Sequence, residues 1–173
     1  MAPDAEGWLI EELRPGHDRC AFSCGHASLN DFIRRYAGQN ERNGVSRTFV
    51  AVHPGSAVVL GYYSLSAGSV EFATLTEEQR KHLPRYPVPT AHLGRLAVDA
   101  TQQGKGLGSF LFIDALRRIA AADRHIAVHA VEVVAIDDAA KGFYLKYGFT
   151  ELLDDPRHLY LSMKTVRALG LVE

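Results

Sequence analysis

The chain reads as an α/β protein, and three features of its 173 residues carry that reading. Short β-branched and aromatic runs alternate with segments patterned for amphipathic helices. A strand-like stretch, HLGRLAV, feeds the glycine-rich turn QGKGLG, and an apolar helical segment follows at once. The length suits one domain, 1–173, with material for a core, and no repeat, linker or low-complexity tract divides it.

Taken in order, Leu9 to Leu13 reads as a first strand. SLNDFIRRY, Ser28 to Tyr36, reads as a helix capped by Ser28, with Leu29, Phe32, Ile33 and Tyr36 at helical spacing. SRTFVAV and VVLGYYSLSAGSVEF form a hairpin about the turn residues His53 to Ser56. TEEQRKHL, from Thr76, has a capping threonine and an acidic first turn, predicting a short helix that Pro84, Pro87 and Pro89 end as a rigid connector. His92 to Val98 is the strand before the glycine loop, and Leu107 to Asp123 the long helix after it. VHAVEVVAI is nearly continuous in apolar residues, which predicts a strand buried on both faces. DDAAKGFYLKY opens with aspartates suited to a helix N-terminus and stops at Gly148, and FTELL and HLYLSMK supply two final strands.

Composition removes several classes of function. Hydrophobic residues make up 47% and charged residues 23%, near the globular average, so the chain is expected to fold and not to stay disordered. No segment has the apolar length needed to cross a bilayer, and MAPDAEGWLIEE lacks the cationic start of an export signal, so no membrane contact and a cytoplasmic location are expected. Cys20 and Cys24 are the only cysteines and are expected as free thiols. His17, Cys20, Cys24 and His26 have the residue types of a zinc site, but their spacing is compressed relative to zinc fingers, and no metal is predicted. A net charge of −1 gives no global attraction to nucleic acid, leaving any polyanion to a local basic patch.

The glycine loop is the richest local signal. Unpaired amides at a helix start, at the positive end of its dipole, suit a phosphate. Lys105 is followed by Gly106 and not by a hydroxyl residue, so the loop is not a nucleotidase P-loop, and its place past mid-chain argues against a dinucleotide fingerprint. A tight strand-to-helix turn with no ligand remains open on the loop alone.

Gln103 to Gly108, with RLAVD before it and KGFYLKYGF from Lys141 after it, resembles the cofactor loop, cofactor strand and F-Y-x-x-x-G-F segment of the GNAT N-acetyltransferases, in order and spacing. That resemblance implies a mixed central sheet flanked by helices, with splayed central strands, and acetyl-CoA as acetyl donor. It implies that Gln103, Gly104, Lys105, Gly106, Leu107, Gly108 and Ser109 surround the pyrophosphate. Leu96, Ala97 and Val98 would then offer backbone to the pantetheine and thioester, with Phe143 beside the cofactor. NDFIRRYAGQNERNGVSRTFVAV, GYYSLSAGSVE, LPRYPVP and LGRLAVD are further similar to the acetyltransferase toxins of type II toxin–antitoxin systems. That branch implies aminoacyl-tRNA as acceptor, a ribbon-helix-helix antitoxin as partner, operator DNA met through the antitoxin complex, and a homodimer.

Within this resemblance Tyr144 is the general acid. A phenol with a pKa of about 10 can protonate a departing thiolate, whose basicity grows as the C–S bond breaks. An α-amine, with a pKa of about 8, is roughly one part in ten neutral at pH 7, whereas lysine is neutral about once in a few thousand, so an aminoacyl ester needs little help from a base. Glu132 could serve a lysine acceptor but reads more simply as an ordinary exposed or hydrogen-bonded strand residue. Asp137 stands where many relatives carry asparagine; a carboxylate is a poorer donor to the cofactor and suits the helix cap. Lys141 could offer charge to a phosphate. Arg95, Arg34 and Arg35 are the candidate tRNA contacts, with Lys81, Arg85 and Lys146 as possible neighbours. The same chemistry on a protein amine or small-molecule amine is the competing reading, and a coenzyme-A-binding module without catalysis is a third, opposed by Tyr144 in its frame.

Overall fold

The computed structural model describes residues 7–171; the first six residues of the N-terminal segment discussed above lie outside the described residues. The chain runs β1 (Leu9–Glu12), α1 (Ala27–Asp31), a π-helical stretch (Phe32–Tyr36), α2 (Ala37–Arg42), β2 (Arg47–Val52), β3 (Gly61–Val70) and β4 (Val88–Val98). It continues through α3 (Leu107–Ala122), β5 (Ala130–Val134), α4 (Asp138–Lys146), β6 (Thr150–Glu151), β7 (His158–Ser162) and α5 (Met163–Ala168). The strands follow the order β1-β2-β3-β4-β5-β7-β6, and the sheet is mixed, with β4 and β5 parallel and the β1–β2, β2–β3, β5–β7 and β6–β7 ladders antiparallel. No described helix is long and apolar enough to cross a membrane.

Two compact units interleave along the chain. The first holds the described residues through Ser66 together with Gly94–Ala115, and the second holds Ala67–Leu93 and the described residues from Leu116 on.

In the first unit β1 and β2 pair from Leu9↔Val52, and β2 and β3 from Arg47↔Leu65. Alternation along the strands sends Val50, Val52 and Tyr62 into one core with Phe22, Leu29, Phe32 and Ile33, each worth roughly 1.5–3 kcal/mol in apolar burial. Tyr62 is fully buried, and its hydroxyl donates to the Leu29 carbonyl at 2.6 Å, so this aromatic keeps its polar end satisfied. Gly61 lies under α3: a Cβ there would come within 2.9 Å of Leu111 Cδ1 and 3.1 Å of the Ala97 carbonyl oxygen.

In the second unit β4 pairs with β5 over Thr90–Leu93 against Ala130–Val133, while β4 itself continues to Val98. β7 inserts between β5 and β6, pairing Ala130↔Ser162 through Val134↔His158 on one side and Thr150↔Tyr160 on the other. Val70, Leu75, Val88, Ala130, Leu152 and Tyr160 form its core. Four of the five β5 residues are buried, as the apolar run predicts, while Val134 is exposed.

Several elements differ from the sequence expectation. The first helix is capped by His26, not Ser28, and helical structure runs on to Arg42 because Ala37 continues the buried stripe past Tyr36. The β2–β3 connection is longer than His53 to Ser56, although the Ser56 N–H does close a turn on the His53 carbonyl at 3.0 Å. Residues Thr76 to Leu83 form a run of turns and not a helix. The capping box does form, with Thr76 N–H donating to Gln79 Oε1 at 2.9 Å and Gln79 N–H to Thr76 Oγ1 at 3.2 Å. His82 then takes a left-handed φ of 66° just before Leu83 and Pro84, so the nucleus has no room to propagate. The proline connector is partly strand: β4 begins at Val88, and Pro89, which lacks an N–H, contributes its carbonyl to His129 N–H at 2.9 Å. FTELL yields only Thr150–Glu151, and β7 stops at Ser162, whose hydroxyl accepts from Thr165 N–H and starts α5.

Gly61→Ala is expected to cost about 1–3 kcal/mol by overpacking the β3–α3 contact, because the Ala97 carbonyl is backbone and cannot swing aside. Urea unfolding of the variant checks this, with a lower midpoint at unchanged slope as the expected result.

Candidate active site

In the first unit, Asp99 closes the strand before the glycine loop. Its carboxylate accepts from Ser23 N–H at 2.9 Å and Thr101 N–H at 3.0 Å, and its own N–H donates to the Leu60 carbonyl at 2.8 Å. Burial pushes the Asp99 pKa up, but these hydrogen bonds and one from the Thr101 hydroxyl outweigh it and hold the carboxyl below its usual range. The loop then turns through Gly104 (φ 78°) and Gly106 (φ 90°), both in backbone regions that a side chain disfavours, with open space where a Cβ would stand. α3 starts at Leu107, whose side chain is buried, and the Phe110 N–H already bonds back to the Gly106 carbonyl at 3.1 Å. By helix geometry the amides of Leu107, Gly108 and Ser109 are those without an intrahelical acceptor, and Gly104, Lys105 and Gly106 are exposed in front of them. This cradle fits a pyrophosphate through backbone groups.

The side chain of Gln103 has another task. Its Nε2 donates to the Val98 carbonyl at 3.0 Å and the Cys24 carbonyl at 3.2 Å, so it braces the loop instead of reaching outward. Of Leu96, Ala97 and Val98, Ala97 is buried in the core and the other two are partly exposed. The Arg95 guanidinium carbon sits over the Phe32 ring, 3.8 Å from its centroid, and the Arg34 guanidinium donates to the Phe22 carbonyl. Arg35 is exposed beside it on the π-helical stretch. Lys81, Arg85 and Lys146 belong to the second unit, and Lys81 pairs with Glu78 at 2.9 Å.

The histidine–cysteine segment does not form a ligand set. His17 is buried with both nitrogens engaged: Nδ1 accepts from Arg14 N–H at 2.9 Å and Nε2 faces Glu11 Oε2 at 2.9 Å. Both cysteines are free thiols, and among the described residues no group of three or more His, Cys, Asp or Glu side chains could hold a metal.

In the second unit α4 presents the tyrosine frame. Asp137 is its N-cap, accepting from Ala140 N–H at 2.8 Å, and Gly148 ends it at φ 94°. The Lys141 ammonium is bound to Glu151 Oε1 at 2.6 Å, on the exposed side of the helix. Tyr144 is buried between Phe143 and Phe149, both edge-on at 5.4 Å, and Phe143 also meets Tyr147 at 5.3 Å. Burial raises the Tyr144 pKa well above that of an ordinary phenol, so its proton is retained at any working pH.

The sequence reading missed a cluster elsewhere in the same unit. Glu132, at the middle of β5, is buried; its Oε1 lies 3.2 Å from His92 Nδ1 and 3.3 Å from Thr90 Oγ1, and its Oε2 meets His158 Nε2. His158 Nδ1 faces Asp154 at 2.9 Å. Burial works against ionisation of Glu132, but the contacts with His92 and His158 outweigh it and hold its pKa below the usual value. Burial likewise pushes His158 down, and Glu132 and Asp154 more than reverse that. The one sequence cue was a glutamate inside an otherwise apolar strand; His92 and His158 join it only through the β4–β5–β7 register.

Residues 44–151 match the model of the acetyltransferase (GNAT) domain. The chain belongs to the GNAT acetyltransferase family. This GNAT chain is 43% identical to a tRNA-acetylating toxin of Mycobacterium tuberculosis over 152 residues, 88% of this chain and 90% of that protein. Among solved structures it is similar to AtaT complexed with acetyl-methionyl-tRNAfMet (TM-score 0.87, 29% identity, 94% of this chain and 99% of that one). It is also similar to a tyrosine-to-phenylalanine mutant of the AtaT toxin bound to the C-terminus of the antitoxin AtaR and acetyl-CoA (TM-score 0.81, 28% identity, 94% and 97%).

A folded-state pKa raised at His158 adds stability that is complete below the unfolded value of about 6.5 and is lost as pH rises through the folded one. The lowered Glu132 adds stability that is lost as pH falls below about 4.5 toward its folded value. The stability difference between the wild type and His158→Gln, from urea unfolding at a series of pH values, is therefore expected to be largest between about pH 4.5 and 6.5 and to shrink above that range.

Proposed function

We propose that the protein transfers acetyl from acetyl-CoA to the α-amine of aminoacyl-tRNA and so blocks translation, as the toxin of a type II toxin–antitoxin pair. The observation that carries the acceptor is the 43% identity, across nearly the whole chain, with a tRNA-acetylating toxin. AtaT, captured with acetyl-methionyl-tRNAfMet, supports it from the side of structure. One GNAT domain spans the chain in this reading, and its location is the cytoplasm, where charged tRNA is found.

The donor supplies an activated acetyl thioester. Backbone amides from Gly104 to Ser109 hold its pyrophosphate, with Lys105 exposed alongside, and Leu96, Ala97 and Val98 offer backbone to the pantetheine. Gln103 acts at one remove, by fixing the loop to Val98. Phe143 borders the tyrosine, and Tyr144 gives its proton to the thiolate as it departs. A phenol whose proton is held by burial does not ionise before it is needed, which suits a general acid. Arg95, Arg34 and Arg35 meet tRNA phosphates; with the charges of Arg95 and Arg34 already oriented by Phe32 and the Phe22 carbonyl, little side-chain entropy is lost on binding.

The partner is a ribbon-helix-helix antitoxin that covers the active site and brings operator DNA to the complex. The AtaT structure bound to the C-terminus of the antitoxin AtaR supports an antitoxin partner. The toxin itself is a homodimer in this reading.

Purified protein with labelled acetyl-CoA and a total pool of charged tRNA is expected to place label on the aminoacyl α-amine. Label on a peptide or small amine, with none on tRNA, would move the protein to the competing acceptor class. Tyr144→Phe should lower turnover by about 10²-fold or more while acetyl-CoA still binds. Gly106→Ala should do the reverse, weakening acetyl-CoA binding by forcing a side chain onto a backbone at φ 90°; calorimetry on both variants separates the two roles.

A further inference from the structure

We propose that His92 is the proton acceptor for the attacking amine, with Glu132 its positioning residue and with His158 and Asp154 holding Glu132 in place; this rests on the proposed acetyl transfer to charged tRNA.

The cluster is organised around access. Glu132 is buried with both oxygens engaged, while the His92 side chain is 34% exposed. The exposure is not at Nδ1, which is buried and turned to the carboxylate at 3.2 Å, although off the line of an ideal hydrogen bond. A carboxylate on Nδ1 favours the tautomer with its proton there, leaving the Nε2 lone pair for a substrate. Contacts of this kind are commonly long before substrate binds. On the other side His158 sits between Glu132 and Asp154, and its contact with Glu132 favours the ionised carboxylate.

A structural ion network would not need this form. A buried charged group is costly, and a packed apolar set often serves stability as well. Here β3 gives up a side chain to admit it: a Cβ on Gly68 would lie 2.9 Å from both Glu132 Oε1 and Thr90 Oγ1. The groups facing Glu132 are Thr90 and His92 of β4, His158 of β7, and Gly68 of β3, with Asp154 behind His158. One imidazole edge is left partly open in an otherwise closed cluster. His92 lies in the same unit as Tyr144 and four residues before Leu96 on the same strand.

Such a group gives the amine's proton a defined place to go once attack has made the nitrogen acidic. The neutral amine attacks, a C–N bond forms, and the nitrogen becomes acidic; its N–H bond breaks as Nε2–H forms on His92, directly or through one water. The C–S bond breaks and the sulfur takes the Tyr144 proton. Solvent collects the proton from the exposed edge of His92 and restores one to Tyr144, leaving no net change on the enzyme.

The test compares wild type, His92→Ala, His92→Gln and Glu132→Gln with a total charged tRNA pool and labelled acetyl-CoA. Expected is a loss of about 10²-fold in kcat/KM for both His92 variants, with acetyl-CoA affinity retained by calorimetry. Added imidazoles should restore His92→Ala, faster with the more basic members of a substituted series, an effect that lost packing cannot produce. Glu132→Gln should lower kcat with little change in KM for tRNA. Wild-type rates in His92→Ala, or a slow variant that no imidazole accelerates, would overturn the assignment. Wild-type protein that labels no tRNA would instead sink the acceptor class, a separate readout.

Discussion

An ionised carboxylate in the middle of a buried strand constrains much of the second unit. Glu132 occupies a position in β5 where every neighbour along the strand from Ala130 to Val133 is buried and apolar, so its charge has to be met by side chains from other strands. The register supplies them: His92 stands directly across on β4, and His158 comes from β7 opposite Val134. Gly68 leaves the space and Thr90 adds a hydroxyl. Insertion of β7 between β5 and β6 brings His158, and with it Asp154, to the carboxylate.

The residues assigned to the donor follow a different logic. Side chains that look available for phosphate in the sequence are tied to the protein: Gln103 to two carbonyls, Lys141 to Glu151, Asp137 to its own helix. What remains is the exposed Lys105 and the backbone, shaped by two glycines with positive φ and by the first turn of α3. Backbone amides suit a donor that is the same in every turnover, since their positions are set by the loop fold and cost no side-chain ordering. The proposed acid is treated likewise, with Tyr144 held by two edge-on rings and kept neutral by burial.

In the proposed reading the acceptor side relies on charge in a chain whose net charge is −1. Recognition of a polyanion then depends on where individual cations are held. Arg95 is fixed over Phe32, Arg34 on a carbonyl, and Arg35 lies exposed on a π-helical stretch, whose wider turn displaces side chains from ordinary helical spacing.

The sequence by itself determined the order of the main elements, the loop-to-helix unit and the tyrosine frame, because each depends on local pattern: apolar periodicity, glycines at positive φ, an aspartate cap three residues before its amide partner. It misjudged Thr76 to Leu83, where a correct capping box met a left-handed His82 and a proline, and it placed the cap of the first helix two residues late. Tertiary structure alone decided what Glu132 is. Its partners are separated from it by 40 residues on one side and 26 on the other, and only strand pairing brings His92 and His158 to one carboxylate. A motif records neighbours along the chain, while a buried charge is answered by neighbours across the sheet.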